Sequence, residues 1–257
     1  PPNPQSTAGR GSPALHEPPP PRRDVEVPPY PLDAMPRAKQ TSDFRERIAG
    51  GLVTAPLAGT SDPPWLRLLA GEGISAFWTE MVSADGLYRG GRKTSALLTP
   101  EPALFRPGEE PTPMPRLYPE EGVPVVCQLF GHLPEAFAHA ARLIAHCGYD
   151  AVDLNYGCPA RKVLRSGNGV ALMRDLPLAV EIAAAALEST DLPVTAKMRL
   201  GYAGDERAYL KLAAALDQLG IAVLTLHPRT REDGFGGTAR WPAIAELVEA
   251  VAGQRAV

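Results

Sequence analysis

Two rhythms of apolar and polar residues divide this 257-residue chain. From residue 51 onward, short apolar runs alternate with longer amphipathic ones. The short runs are residues 52–57, 76–81, 124–129, 151–155, 194–198 and 223–227, rich in β-branched and other apolar side chains. Strands of a parallel sheet read this way, because both of their faces are covered. The longer runs predict helices. Residues 134–147 carry an alanine-rich face, and residues 176–189 follow Asp175, a good N-cap, with Pro177 in the first turn. Residues 205–219 stop at Gly220, which suits a left-handed C-cap, and residues 242–251 close the series. This strand–helix alternation predicts an α/β fold with a parallel sheet.

The spacing suits a TIM (β/α)8 barrel better than a doubly wound sheet. No GxGxxG follows the first run, and polar residues sit at the ends of many runs rather than at one switch point. Only six strands are predicted and the last helix runs into Val257. The barrel is therefore expected to be truncated after about six βα units, leaving two sheet edges prone to association. Residues 83–122 form a long connection with Gly90, Gly91, Pro100, Pro102, Pro107, Pro111, Pro113 and Pro115. Such a segment is expected to lie over the barrel mouth as a lid or substrate-binding insertion. Ahead of the βα repeat, proline runs at 18–21 and 28–29 sit among few bulky apolar residues, too few to offset ordering entropy. Residues 1–50 are thus expected to be a disordered tail, and residues 51–257 one catalytic domain. The chain opens on proline and Met35 begins a natural-looking start, so a fragment or processed form is expected.

Composition narrows the function. The net charge of −3 rules out a general polycationic coat, so any RNA binding must rest on a local patch. Cys127, Cys147 and Cys158 form no CxxC pair and no even disulfide set, which fits a reduced, cytoplasmic setting. No apolar run approaches the ~18–20 residues that span a membrane, and the N-terminus lacks the core of a secretory signal. No metal site and no obligate protein partner is expected.

In a TIM barrel the residues just after each strand face the active site. Here those positions hold Pro56-Leu57-Ala58-Gly59, Glu80-Met81, Gln128, Asn155-Tyr156-Gly157-Cys158-Pro159, Lys197 with Arg199, and His227 with Arg229. A flat aromatic cofactor with polar edges needs an amide, a cation and an imidazole along its rim. Gln128, Lys197 and His227 are of those types, and a lysine there would stabilise the negative charge of a reduced ring. Lys197 is hard to explain structurally inside an apolar strand, whereas His227 reads equally well as a core histidine. Cys158, in a Gly-Cys-Pro turn at a strand end, is placed to act as acid or nucleophile. Cys127 within a strand and Cys147 at a helix end read as buried apolar residues. Basic residues gather in the loops after the strands: Arg89, Arg92 and Lys93; Arg161, Lys162 and Arg165; Arg229, Arg231 and Arg240. They can ring one barrel mouth and meet phosphates there. Glu101, Glu109, Glu110, Glu120 and Glu121 lie apart from them, in the insertion.

The segments APLAG (55–59), TEMVSADGL (79–87), QLFG (128–131), DLNYGCP (153–159), SGNGVALMRD (166–175), KMRLG (197–201) and HPRTREDGFGG (227–237) together resemble the tRNA-dihydrouridine synthases, over residues 51–257. Pro228 stands where that family often has glycine, which leaves His227 and Arg229 in register. The resemblance implies an FMN-binding TIM barrel followed by a small helical tRNA-binding domain, which is expected to be absent from residues 1–257. It implies NADPH as reductant of the flavin, hydride transfer to a uridine in tRNA, and Cys158 as the general acid. On matching positions it places Gln128, Lys197 and His227 against the flavin, with Pro56 and Ala58 touching the ring through backbone. Asn155 lies near flavin and base, and Arg199 on the substrate side, with Arg229 and Lys162 on the basic rim that meets RNA. Two other readings stay open. One is an FMN-dependent dehydrogenase of a free pyrimidine, like dihydroorotate dehydrogenase, against which the SGNGVALMRD segment and the basic rim speak. The other is a truncated, non-catalytic RNA-binding derivative, against which the intact Cys158, Lys197 and His227 speak.

Overall fold

The computed structural model describes residues 40–100, 115–118, 122–203 and 207–251. In chain order its elements are α1 (Gln40–Ile48), α2 (Pro63–Ala70), β1 (Phe77–Ser83), α3 (Ala84–Tyr88), α4 (Arg92–Ser95), β2 (Val125–Phe130), α5 (Pro134–His146), β3 (Ala151–Tyr156), α6 (Arg161–Leu164), a 3-10 turn over Gly169–Arg174, α7 (Leu176–Leu187), β4 (Val194–Arg199), α8 (Ala208–Leu219), β5 (Val223–His227) and α9 (Pro242–Val251). The five strands are parallel and lie side by side in sequence order. Each crossover steps one strand further in the same direction, as in a barrel wall and unlike the reversal of a doubly wound sheet. Helix ends follow the local chemistry: the Asp175 side chain accepts from Leu178 N (3.2 Å), and Gly220 closes α8 at φ +94°.

Strand alternation sorts the sheet into two faces. Val125, Cys127, Leu129, Val152, Leu154, Tyr156, Val194, Ala196 and Met198 point outward into one large core with the helices, where Phe137, Ile144, Ile182, Leu212 and Leu216 meet them. Cys127 and Cys147 are both buried there, as apolar residues should be. The opposite face holds a small apolar cluster of Trp78, Val126 and Ala151, with Val223 packed against it. The next residues along that face are polar: Gln128 opposite Asp153, then Thr195 and Lys197 on β4.

Three sequence expectations need correction. Residues 52–57 do not form a full strand. Val53 makes one parallel bridge to Ala76, after which Pro56 offers no N–H and the Leu57 N–H turns back onto Ser61 Oγ (2.9 Å). The expected tail is ordered at its end: α1 lies within residues 1–50, buries Phe44 and packs the half-buried Ile48 against the Trp78 cluster, and its Arg45 Nε donates to Ala222 O (2.6 Å). Phe44 and Ile48 are four apart, so one helical face carries both. The rest of that tail, residues 1–39, lies outside the described residues. The long connection after β1 is also not all loop. It folds into α3 and α4, and buries Leu98 and Tyr118 in the core. Residues 101–114 and 119–121, including the five glutamates named above, lie outside the described residues.

Candidate active site

On the face turned away from the helices, β2, β3 and β4 carry one continuous hydrogen-bonded chain of side chains. Thr195 Oγ1 donates to Asp153 Oδ1 (2.5 Å), and Gln128 Nε2 donates to Asp153 Oδ2 (2.6 Å). Asn155 Nδ2 donates to Gln128 Oε1 (2.8 Å). The Asn155 Oδ1 accepts in turn from Gly157 N (3.0 Å) and Cys158 N (2.8 Å). Every group in this chain meets its complement, which is what buried polar atoms require. The path therefore runs from a fully buried carboxylate to the backbone of the Cys158 turn. Cys158 itself is half-exposed, unlike the other two cysteines. Behind it the chain closes tightly: Val170 N donates to Cys158 O (3.2 Å), and Gly169, at φ +63°, stands where a Cβ would lie 2.7 Å from that same oxygen. No other residue type fits this approach.

Asp153 was not singled out from sequence. The signal was there, since an aspartate at 153 within an apolar strand shares the inner face with Asn155 two residues on. Burial raises its carboxyl above the usual range, while hydrogen bonds from Thr195 and Gln128 and the charge of Lys197 pull it back. Lys197 lies beside Asn155 in the β3–β4 register. Burial lowers its ammonium below the ordinary lysine value, Asp153 opposes that, and Arg199 adds to it. His227, opposite Arg199 in register, is pushed down to about 4 by burial first, then by the charges of Arg199, Lys197 and Arg229. It is a neutral ring at neutral pH. Arg229 Nη1 lies 3.3 Å from its Nε2, and a guanidinium can only donate, so Nε2 accepts and the ring proton sits on Nδ1.

Arg199 occupies an unexpected place. It is 2% exposed. Its Nε donates to Gly157 O (3.0 Å), and its Nη1 donates to Thr230 O (2.8 Å) and Gly234 O (2.7 Å). It braces the turn of Cys158 to the loop after β5. Arg229 donates from Nη2 to Gly237 O (2.9 Å), and its buried Nε has no partner among the described residues. Pro56 is half-buried and Ala58 exposed, in the loop that Glu80 ties down by accepting Gly59 N (2.5 Å). A register shift between Trp78 and Met81 brings Met81 rather than Glu80 opposite Gln128, where the Met81 sulfur lies 3.7 Å from Asn155 Nδ2. Lys162 is exposed on α6, apart from the hydrogen-bonded chain. Of the other rim residues, Arg240 pairs with Asp233 (2.9 Å) and Arg231 lies over the ring of Tyr202 at 5.1 Å, a ring that Arg174, outside the expected rim, also covers at 4.8 Å. Among the described residues no group of three or more His, Cys, Asp or Glu side chains could hold a metal ion, and no helix is long and apolar enough to cross a membrane.

A family profile described as dihydrouridine synthase (Dus) matches residues 53–253, the whole span of this sheet and site. The chain belongs to the dihydrouridine synthase family. It is 33% identical over 205 residues to a probable tRNA-dihydrouridine synthase of Rhodobacter capsulatus, covering 80% of this chain and 58% of that protein. It is 34% identical over 200 residues to tRNA-dihydrouridine synthase B of Pseudomonas aeruginosa, covering 78% and 55%. A probable tRNA-dihydrouridine synthase of Rickettsia bellii is 30% identical over 204 residues, covering 79% and 57%. The chain thus spans a little over half the length of these dihydrouridine synthase relatives.

Proposed function

We propose that this chain carries the catalytic centre of a tRNA-dihydrouridine synthase, reducing the C5=C6 bond of specific uridines in tRNA with FMN and NADPH. The observation that carries the reading is the hydrogen-bonded chain from Asp153 through Gln128 and Asn155 to the Cys158 turn, with Lys197 and His227 alongside. Family membership and the names of the relatives support it.

The residues present fit a flavin. A half-buried cation, two carboxamides and a neutral imidazole with a free Nδ1–H line one face, and the orphaned Arg229 Nε awaits an acceptor. Gln128, Lys197 and His227 would hold the ring's polar edge, and the backbone around Pro56 and Ala58 would lie against it. When bound, the flavin would supply the hydride. The protein's own work is positional and acidic. Lys197 offsets negative charge in a site whose low polarity makes that interaction strong. Asn155 fixes the backbone of the turn, and so aims Cys158 Sγ at the carbon to be protonated. Cys158 gives its proton there as general acid. The exposed Arg161, Lys162 and Arg165 follow Cys158 directly and would meet RNA phosphates, while the target base leaves its stack to reach the site.

Denaturing the purified chain and identifying released flavin by chromatography tests the cofactor, and dihydrouridine formation in tRNA compared with free uracil or orotate tests the substrate. FMN in near-equal molar amount with activity on tRNA alone is the expected result. Reduction of free orotate would instead favour a free-pyrimidine dehydrogenase, and a folded protein without flavin would sink the flavin assignment for this chain.

A further inference from the structure

The loop after β5 presents an aromatic ring to solvent beside the site. Phe235 is 79% exposed, although a phenyl ring has no polar atom to gain from water. The loop under it is firmly built. Gly234 O accepts from Arg199 and Gly237 O accepts from Arg229, so the residues bracketing Phe235 are each held by a guanidinium. Asp233 accepts from Thr230 N (2.7 Å), Thr230 Oγ1 (2.8 Å) and Arg240 Nη1 (2.9 Å). Gly234 and Gly237 adopt φ of +57° and +63°, a turn that other residues enter at a cost.

The position of the ring is specific. The Arg199 guanidinium carbon lies 5.4 Å from its centroid, over one face. That same guanidinium holds Gly157, the residue before Cys158. The His227 ring stands 6.3 Å away, tilted by 34°. Phe235 is therefore backed by a cation on one side, exposed on the other, and tied by a single side chain to the turn of the acid.

We propose that Phe235 is the stacking platform for the substrate's nucleobase, held in place by Arg199 and Arg229 acting as positioning residues. The proposal rests on the reading of the site as one that acts on a uridine. A base drawn out of an RNA strand loses its stacking neighbours, and an aromatic face replaces them whatever the flanking sequence. A preformed loop adds to this, because little motion is lost on binding.

The test uses the full chain with three substitutions, Phe235→Ala, Phe235→Leu and Phe235→Tyr, none of which disturbs the core. Two labelled probes are titrated by fluorescence anisotropy: a short oligouridylate and an abasic ribose-phosphate oligomer of equal length. Released flavin is measured on the same samples. Phe235→Ala and Phe235→Leu should weaken oligouridylate binding about tenfold or more, and Phe235→Tyr should stay within about twofold of the parent. Binding of the abasic oligomer and flavin content should not change. Unaltered oligouridylate binding by Phe235→Ala, or full retention by Phe235→Leu, overturns the proposal and leaves the flavin reading standing. Loss of flavin together with base binding in Phe235→Ala also overturns it, because the ring would then serve the cofactor. Ring-dependent oligouridylate binding by a parent chain without flavin supports the platform and counts against the flavin instead.

Discussion

The inner face of the sheet has two ends, and they are built on opposite principles. At the amino ends of the strands, Trp78, Val126, Ala151 and Val223 close up with Phe44 and Ile48 of α1, and that layer is apolar. Two to four residues further along β2 and β3, and on β4 from Thr195 to Lys197, the same face holds Gln128, Asp153, Asn155, Thr195 and Lys197. The first layer gains stability by excluding water from apolar surface. The second places the Asp153 carboxyl and the Lys197 amine in low polarity, where Thr195 and Gln128 bond the carboxyl and the lysine's charge favours it. One end of the sheet is thus an apolar foundation while the other gathers the polar and charged groups, the division expected of this architecture.

Substitutions at the two ends should separate accordingly. The largest effect is expected at the upper end on rate alone. Cys158→Ala should lower dihydrouridine formation by roughly 10²–10⁴-fold while flavin content is kept and stability changes by less than about 0.5 kcal/mol. A normal rate of product formation in that variant would remove Cys158 from the role of acid. Next comes Asp153→Ala, which leaves the Gln128 amide and the Lys197 charge without their buried partner. Urea unfolding should show a loss of about 3 kcal/mol or more. An unchanged midpoint would mean that the polar chain adds nothing to the fold. At the lower end, Phe44→Ala should destabilise by about 3 kcal/mol through the cavity it opens under Trp78, with kcat and KM little changed for the folded enzyme. If catalysis fell in step with stability, the two ends would not be separable.

The smallest effect concerns pH. His227 in the folded chain has its proton affinity lowered to about 4, so between the ordinary imidazole value, about 6.5, and that point the unfolded chain binds the extra proton. Stability should therefore fall as pH drops through this window, by less than about 1 kcal/mol given the partial exposure of the ring. His227→Gln should flatten that dependence, and the ring's own titration by NMR should centre near 4. A titration near the ordinary value would show that neither burial nor the surrounding cations press on it.

Much of the site was legible in the chain. A strand's period of two shows which residues share a face, so Gln128, Asn155, Lys197 and His227 could be placed at one mouth before any coordinates. The turn chemistry of Gly-Cys-Pro set Cys158 apart from Cys127 and Cys147, and the caps at Asp175 and Gly220 followed from local backbone preferences. These features depend on residues a few positions apart, and local pattern carries them. What the chain did not disclose depends on partners far away in sequence. The shift in β1 that brings Met81 opposite Gln128 is set by how β1 meets β2. Asp153 matters because Gln128 and Thr195 arrive from neighbouring strands to bond it. Arg199 braces three carbonyls from two loops, and Phe44 finds Trp78 only because α1 docks on the sheet. Sequence by itself decided which faces the strands present and which residue types stand at their ends. The tertiary structure alone decided which of those residues meet, because a hydrogen bond or a packed ring requires both partners in place.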